Sequence, residues 1–173
     1  VLRDHYEGTP YDLTNGYKKG SPHQTDERTL CSANTEVSVV CQTRSWLPAE
    51  IGAITWRAMA TPCTSVFTPW YYGNPTIPEA FKRGSNLYTE NSAYWTFRDL
   101  SRYADVRYQS VSSAIHKRIA LFEQKEFAAQ PQWEQEALRL YGKDKQQAIR
   151  FLAETTNNLA TQSVQLGDAM RRQ

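Results

Sequence analysis

Near the start of the chain, the stretch DHYEGTPYD at positions 4 to 12 sets Asp4, His5, Glu7 and Asp12 beside two tyrosines. Carboxylates and an imidazole this close suit metal ligation, acid–base chemistry, or a polar turn. Zinc sites use spacings such as HxxxH or paired cysteines, which let side chains converge on one ion. Here His23 and His116 stand alone, and Cys31, Cys41 and Cys63 form no CxxC pair. No metal and no cofactor are therefore expected. The stretch reads instead as a tight polar turn that docks against another part of the protein. Gly8 and Pro10 fix its backbone and Asp12 caps it through a side-chain oxygen.

Other chemistries find less support. No GxSxG elbow marks a serine nucleophile, and the 8 glycines never cluster into a phosphate-binding loop. Trp70, Tyr71 and Tyr72 could stack on a ligand, or could cover a core or plug a sheet edge. The three cysteines read as buried thiols; a Cys31–Cys41 or Cys41–Cys63 disulfide is unforced. The 20 basic and 18 acidic residues leave a net charge of +2 with no sustained run of either sign. That balance argues against nucleic-acid or membrane-surface partners. No apolar stretch approaches the roughly 18 residues of a membrane span. Compartment stays open.

The elements that must position these residues change character near residue 90. Residues 1–90 are rich in proline, glycine, threonine and aromatics, a pattern of strands and turns. TEVSVVCQTR, 35–44, alternates Val37, Val39 and Cys41 on one face with Val40, Gln42 and Arg44 on the other. IGAITWRAMA, 51–60, places Ile54, Trp56 and Ala58 together, and the short SWLPAE link implies antiparallel pairing. TSVFTPWYYG is a third extended stretch, and the polar segment 17–28 reads as a loop. Residues 91–173 are helical. Apolar residues recur at three- and four-residue spacing from Tyr94 to Phe122, and Pro131 suits the first position of a new helix closed by Gly142. Asp144 with Gln147 resembles a capping box for the last helix. The fold class is α+β.

Four ordered blocks carry a resemblance: RDHYEGTPYDLTNG at 3–16, SVVCQTRSWLPAEIGAITWRAMATPCTSVFTPWYYG at 38–73, IPEAF at 77–81 and SAYWTFRDLSRYADVRY at 92–108. Together they resemble the C-terminal portion of the bacterial dipeptidase A family, the secernin-related cysteine dipeptidases. The tail after residue 110 is similar only in character. The resemblance implies an N-terminal-nucleophile hydrolase with a four-layer αββα sandwich, of which residues 1–173 supply one portion of a single domain. In that class a terminal Cys, Ser or Thr attacks the amide and its own α-amine is the general base. Position one is Val1, and all three cysteines are internal. The resemblance thus implies that the nucleophile lies in a preceding portion, that this portion is the partner of the present one, and that the chain alone is inactive.

Arg44, at the end of the QTR strand, is the position that the resemblance matches to a charged group orienting the nucleophile or neutralising a substrate carboxylate. Otherwise it is a strand-end arginine paired with a carboxylate such as Glu36 or Glu50. Gln42, Trp56, Trp70 and Tyr71 are the candidate substrate-binding residues. The substrate expected is a dipeptide; an amidase of the same class acting on other acyl-amino compounds and a non-catalytic interaction module are the alternatives. Assembly into a homo-oligomer stays open.

Overall fold

The computed structural model describes residues 1–12, 22–23 and 28–172. The segment 17–28, read as a loop, lies outside the described residues except for 22, 23 and 28. Three strands form one antiparallel sheet in the order β1-β2-β3: β1 is Val37–Thr43, β2 Ala53–Met59 and β3 Thr68–Tyr71. Val37 faces Met59 and Thr43 faces Ala53 at the two ends of the first pairing, as the short link demands. That link folds into a single helical turn, α1, Ala49–Gly52. A 3-10 turn, Pro62–Thr64, joins β2 to β3, and α2, Glu79–Lys82, follows.

Two long helices, α3 (Ala93–Tyr141) and α4 (Lys145–Arg171), form a hairpin on which the sheet and the 3-10 turn lie. Ser92 caps α3 by accepting from the Trp95 N–H, and Asp144 caps α4 by accepting from the Gln146 N–H. Each cap satisfies a backbone donor that the first helical turn leaves unpaired. Gly142 closes α3 with an ordinary right-handed φ of −65°, so no left-handed residue is needed there.

Pro131 does not start a helix. It sits inside α3, which runs straight through it, while the one departure from helical angles falls at Arg107 (φ −130°, ψ 30°). A mid-helix proline costs about 3 kcal/mol through its missing N–H and its clash with the preceding turn. Tertiary anchors on both sides outweigh that cost. Phe127 packs with its ring centroid 4.7 Å from that of Trp56, and Glu134 is gripped by Arg44, just past β1, and by Tyr71 of β3.

The core forms in two clusters. One gathers Val66, Phe97, Leu100, Ile115, Ile119 and Met170 between the hairpin helices and the 3-10 turn. The other sets Ile54, Trp56 and Tyr71 of the sheet against Ala137 and Leu152. Burying each large side chain contributes about 1.5–3 kcal/mol. Ile54, Trp56 and Ala58 are 2%, 6% and 0% exposed, which fixes the inward face of β2. β1 is different. It pairs only with β2 among the described residues, and Val37, Val39 and Val40 are 48%, 44% and 46% exposed. Cys41 on this strand is exposed too, so of the three expected buried thiols only Cys31 and Cys63 are buried. An edge strand with little covering its outward face shields nothing at that position.

Candidate functional site

Arg44 follows β1 and reaches α3. Its Nη1 donates to Glu134 Oε2 at 2.6 Å and its Nη2 to Glu134 Oε1 at 2.7 Å, while Nη2 also donates to the Ile51 carbonyl at 2.9 Å. The carboxylate partner is therefore Glu134, not Glu36 or Glu50; Glu50 is taken instead by Lys145 at 2.6 Å. Tyr71 on β3 donates its hydroxyl to Glu134 Oε1 at 2.7 Å and accepts from Trp133 Nε1 at 2.6 Å. Burial works to raise the Glu134 carboxyl, but hydrogen bonds from Arg44, Gln130 and Tyr71 hold it below the usual carboxylate range. The Tyr71 phenol is pushed the other way, up, by burial above all. These groups form one polar network that links β1, α1, β3 and α3, with Arg44 Nε the one guanidinium nitrogen lacking a partner among the described residues.

Two hollows flank the sheet. One, about 390 Å³, is lined by Gln42, Trp70, Tyr71 and Tyr72 among others. The other, about 670 Å³, is lined by Gln42, Trp56, Phe67 and Phe127. The candidate binding residues are thus split: Trp70 and Tyr71 serve one hollow and Trp56 the other. Gln42 borders both, and its Oε1 accepts from Trp56 Nε1 at 3.2 Å. Arg44 lines neither hollow directly but fixes Tyr71, which lines one, through Glu134.

The opening stretch does contain a turn. Asp12 Oδ2 accepts from the Gly8 N–H at 2.9 Å and Asp4 Oδ1 from the Tyr6 N–H at 2.8 Å, with Gly8 at φ +75°. Its visible anchors lie within this chain. Arg3 makes a two-point ion pair with Glu123 at 2.6 and 2.9 Å and donates to the Pro62 and Ser65 carbonyls.

His5 departs from the turn and points inward, 1% exposed. There it meets His23, Cys31 and Cys63, with all four ligand-type atoms within 4.8 Å of one another. His23, isolated in the sequence, is not isolated in space: its Nε2 lies 3.3 Å from His5 Nε2, 3.6 Å from Cys31 Sγ and 3.8 Å from Cys63 Sγ. Its Nδ1 faces Asp105 Oδ1 of α3 at 2.7 Å, and His5 Nδ1 faces Glu7 Oε1 at 3.0 Å. Burial pushes the His23 imidazole down, but hydrogen bonds to Asp105 and Cys31 outweigh it and raise it to about 9. Cys31 is held well below the usual thiol range, first by its hydrogen bond with Cys63 and then by the imidazoles. Cys63 is pushed up by the same hydrogen bond and by burial. His116 reaches the group through edge-on ring contacts, its ring centroid 6.3 Å from that of Tyr108, which in turn lies 5.9 Å from that of His5.

Comparison with known proteins puts this α+β scaffold among the peptidases. Residues 1–120 match the family model of peptidase family C69, and the chain belongs to that family. A probable dipeptidase of Latilactobacillus sakei is 25% identical over 115 residues, covering 66% of this chain and 24% of that protein. Dipeptidase A of Lactobacillus helveticus is 26% identical over 150 residues, 84% of this chain and 30% of its own length. A probable dipeptidase of Salmonella dublin is 36% identical over 73 residues, 42% of this chain and 16% of its own. The chain spans less than a third of the length of each of these relatives.

Proposed function

We propose that the protein containing this chain hydrolyses the peptide bond of dipeptides, with a cysteine nucleophile supplied by a portion outside these residues. The observation that carries the reading is the match to peptidase family C69 over residues 1–120, joined by relatives named as dipeptidases. In this reading the α-amine of a terminal cysteine takes the thiol proton, the thiolate attacks the scissile carbonyl, and the released amine carries a proton away. Water then hydrolyses the acyl-enzyme. Preference for dipeptides follows from holding a free ammonium and a free carboxylate at fixed separation, since a longer peptide leaves one buried charge unpaired.

The present chain contributes a wall to that site. Arg44 acts as a positioning residue: it holds Glu134, which holds the Tyr71 hydroxyl beside the smaller hollow. Gln42, Trp56 and Trp70 complete the two hollows against which a substrate would rest. The sheet continues past β1 into an αββα sandwich, a reading supported by the exposed Val37, Val39 and Val40 and by the much greater length of the relatives. Cys31 and Cys63 are not the nucleophile in this reading, because each is at most 1% exposed.

The test uses the complete protein with free dipeptides, N-acetylated dipeptides, dipeptide amides and tripeptides. Free dipeptides alone should turn over. Iodoacetamide should abolish that turnover by alkylating a cysteine other than Cys31, Cys41 and Cys63, as read by peptide mapping. No turnover of any free dipeptide sinks the activity, equal turnover of acetylated substrates points to a broader amidase, and inactivation tracking Cys31 or Cys63 relocates the nucleophile.

A further inference from the structure

The cluster of His5, His23, Cys31 and Cys63 has a use that hydrolysis does not require. We propose that it is a structural zinc(II) site with two imidazole and two thiolate ligands. The ligands come from three places: His5 from the opening turn, His23 and Cys31 from the segment after it, and Cys63 from the 3-10 turn behind β2.

Geometry carries the proposal first. Tetrahedral zinc with Zn–N near 2.05 Å and Zn–S near 2.3 Å separates two nitrogens by about 3.3 Å, nitrogen from sulfur by about 3.6 Å and two sulfurs by about 3.8 Å. His5 Nε2 and His23 Nε2 lie 3.3 Å apart, and Cys31 and Cys63 Sγ lie 3.6 and 3.8 Å from His23 Nε2. No pair exceeds 4.8 Å, so the widest separation closes by about an ångström on binding.

The hydrogen bonds around the ligands supply a second, independent reason. A carboxylate only accepts, so the Nδ1 of each histidine carries hydrogen toward its acid: His5 toward Glu7 at 3.0 Å and His23 toward Asp105 at 2.7 Å. In the neutral rings this leaves both Nε2 lone pairs aimed at each other and at two sulfurs. In a site where His5, Cys31 and Cys63 are at most 1% exposed, four such donors converge on one point, the arrangement a tetrahedral cation requires. A carboxylate behind each ligating histidine is also the usual support for a zinc ligand, since it fixes the tautomer and raises basicity.

Two thiolates with two imidazoles in a tetrahedral array select zinc over hard cations such as magnesium or calcium. Four protein ligands leave no open position, so the ion is structural and activates no water. Its work is mechanical. It pins the opening turn and the 3-10 turn together, and Asp105 ties both to α3. Arg3 reinforces the same junction through Glu123 and Pro62.

The test is metal analysis on the complete protein purified without chelator. Zinc should be present, and the Cys31→Ser, Cys63→Ser double variant should carry one zinc fewer per chain. Exchange with cobalt should give the wild type tetrahedral d–d bands and thiolate-to-cobalt charge transfer that the double variant lacks. Because that variant could fail to fold, alkylation footprinting of the wild type decides independently. Zinc should protect Cys31 and Cys63, a strong chelator should expose both, and exposed Cys41 should label equally in the two states. Equal zinc in wild type and double variant, labelling of Cys31 and Cys63 that ignores chelator, or a Cys31–Cys63 disulfide in the native protein each overturns the proposal.

Discussion

Arg44 and Glu134 stand 90 positions apart in sequence and meet in a two-point ion pair whose bonds are 2.6 and 2.7 Å long. Their side chains are only 13% and 10% exposed. A pair this buried repays its desolvation only when the remaining hydrogen-bonding capacity is also filled. Tyr71, Gln130 and the Ile51 carbonyl fill most of it. The strand-end arginine is thereby a bolt between sheet and helix hairpin as well as a neighbour of the proposed substrate hollow.

Arg44→Ala in the complete protein should lower turnover at least tenfold, about 1.4 kcal/mol of barrier, by releasing Tyr71. Removing one partner of a buried pair also costs about 3–5 kcal/mol of stability. Urea unfolding and dipeptide kinetics on the same samples separate the two effects. Tyr71→Phe, which keeps the ring and loses only the bond to Glu134, should reproduce part of the kinetic defect with a smaller loss of stability. A folded Arg44→Ala protein with wild-type kcat and KM makes the arginine a structural bolt alone.

Gly52 has its own constraint at this junction. A Cβ placed there would meet the Arg44 carbonyl oxygen at 2.6 Å and Leu47 Cβ at 3.0 Å. The nearest obstacle is backbone, and the Arg44 N–H already donates to the Gly52 carbonyl at 3.0 Å, so neither side yields easily. Gly52→Ala should destabilise by about 1–3 kcal/mol, the usual range for overpacking. Thermal or urea unfolding checks it, with Gly84→Ala as control because nothing crowds a Cβ at that site. Equal effects at the two glycines remove the close approach as the cause.

What the sequence revealed follows the range of the signals. Period-two alternation located β2 and its inward Ile54, Trp56 and Ala58, because burial on one face of a strand is written in adjacent residues. The cap at Asp144 was equally local. Glu134, Glu123 and Asp105 were not foreseen. Each is one polar residue on a helix, and its meaning comes from a partner 90, 120 or 82 positions away. The same distance hid the four-ligand cluster, whose members share no motif spacing. Pro131 failed for the opposite reason: the local rule was sound, and packing overrode it.

Pro131 offers a direct measurement of that override. The residue is exposed and sits mid-helix, so its ring contributes little packing while costing a hydrogen bond to the Phe127 carbonyl. Pro131→Ala should stabilise the protein by up to about 3 kcal/mol, the propensity difference in a helix interior. A neutral or negative change in urea unfolding means that the restriction proline places on the unfolded chain offsets the gain in helix propensity.

Glu126 should make stability fall as pH rises. It is 2% exposed, neither carboxyl oxygen has a partner among the described residues, and burial, helped by the Glu123 charge, pushes its carboxyl up to about 9. The folded value lies above the unfolded value of about 4.5. Below about pH 4.5 both states bind the proton and the group adds no pH-dependent cost. Between about 4.5 and 9 the unfolded chain releases the proton while the folded protein keeps it, so each pH unit removes about 1.4 kcal/mol of stability. By pH 7 the accumulated cost is about 3 kcal/mol. Glu126→Gln keeps the shape and cannot ionise, so it should stabilise the protein at pH 7 by up to that amount and by progressively less toward pH 5. Urea unfolding at pH 5, 6, 7 and 8 reads the difference between wild type and variant. Parallel pH profiles would mean that Glu126 ionises alike in both states, and that burial at this position is relieved by a partner in the complete protein.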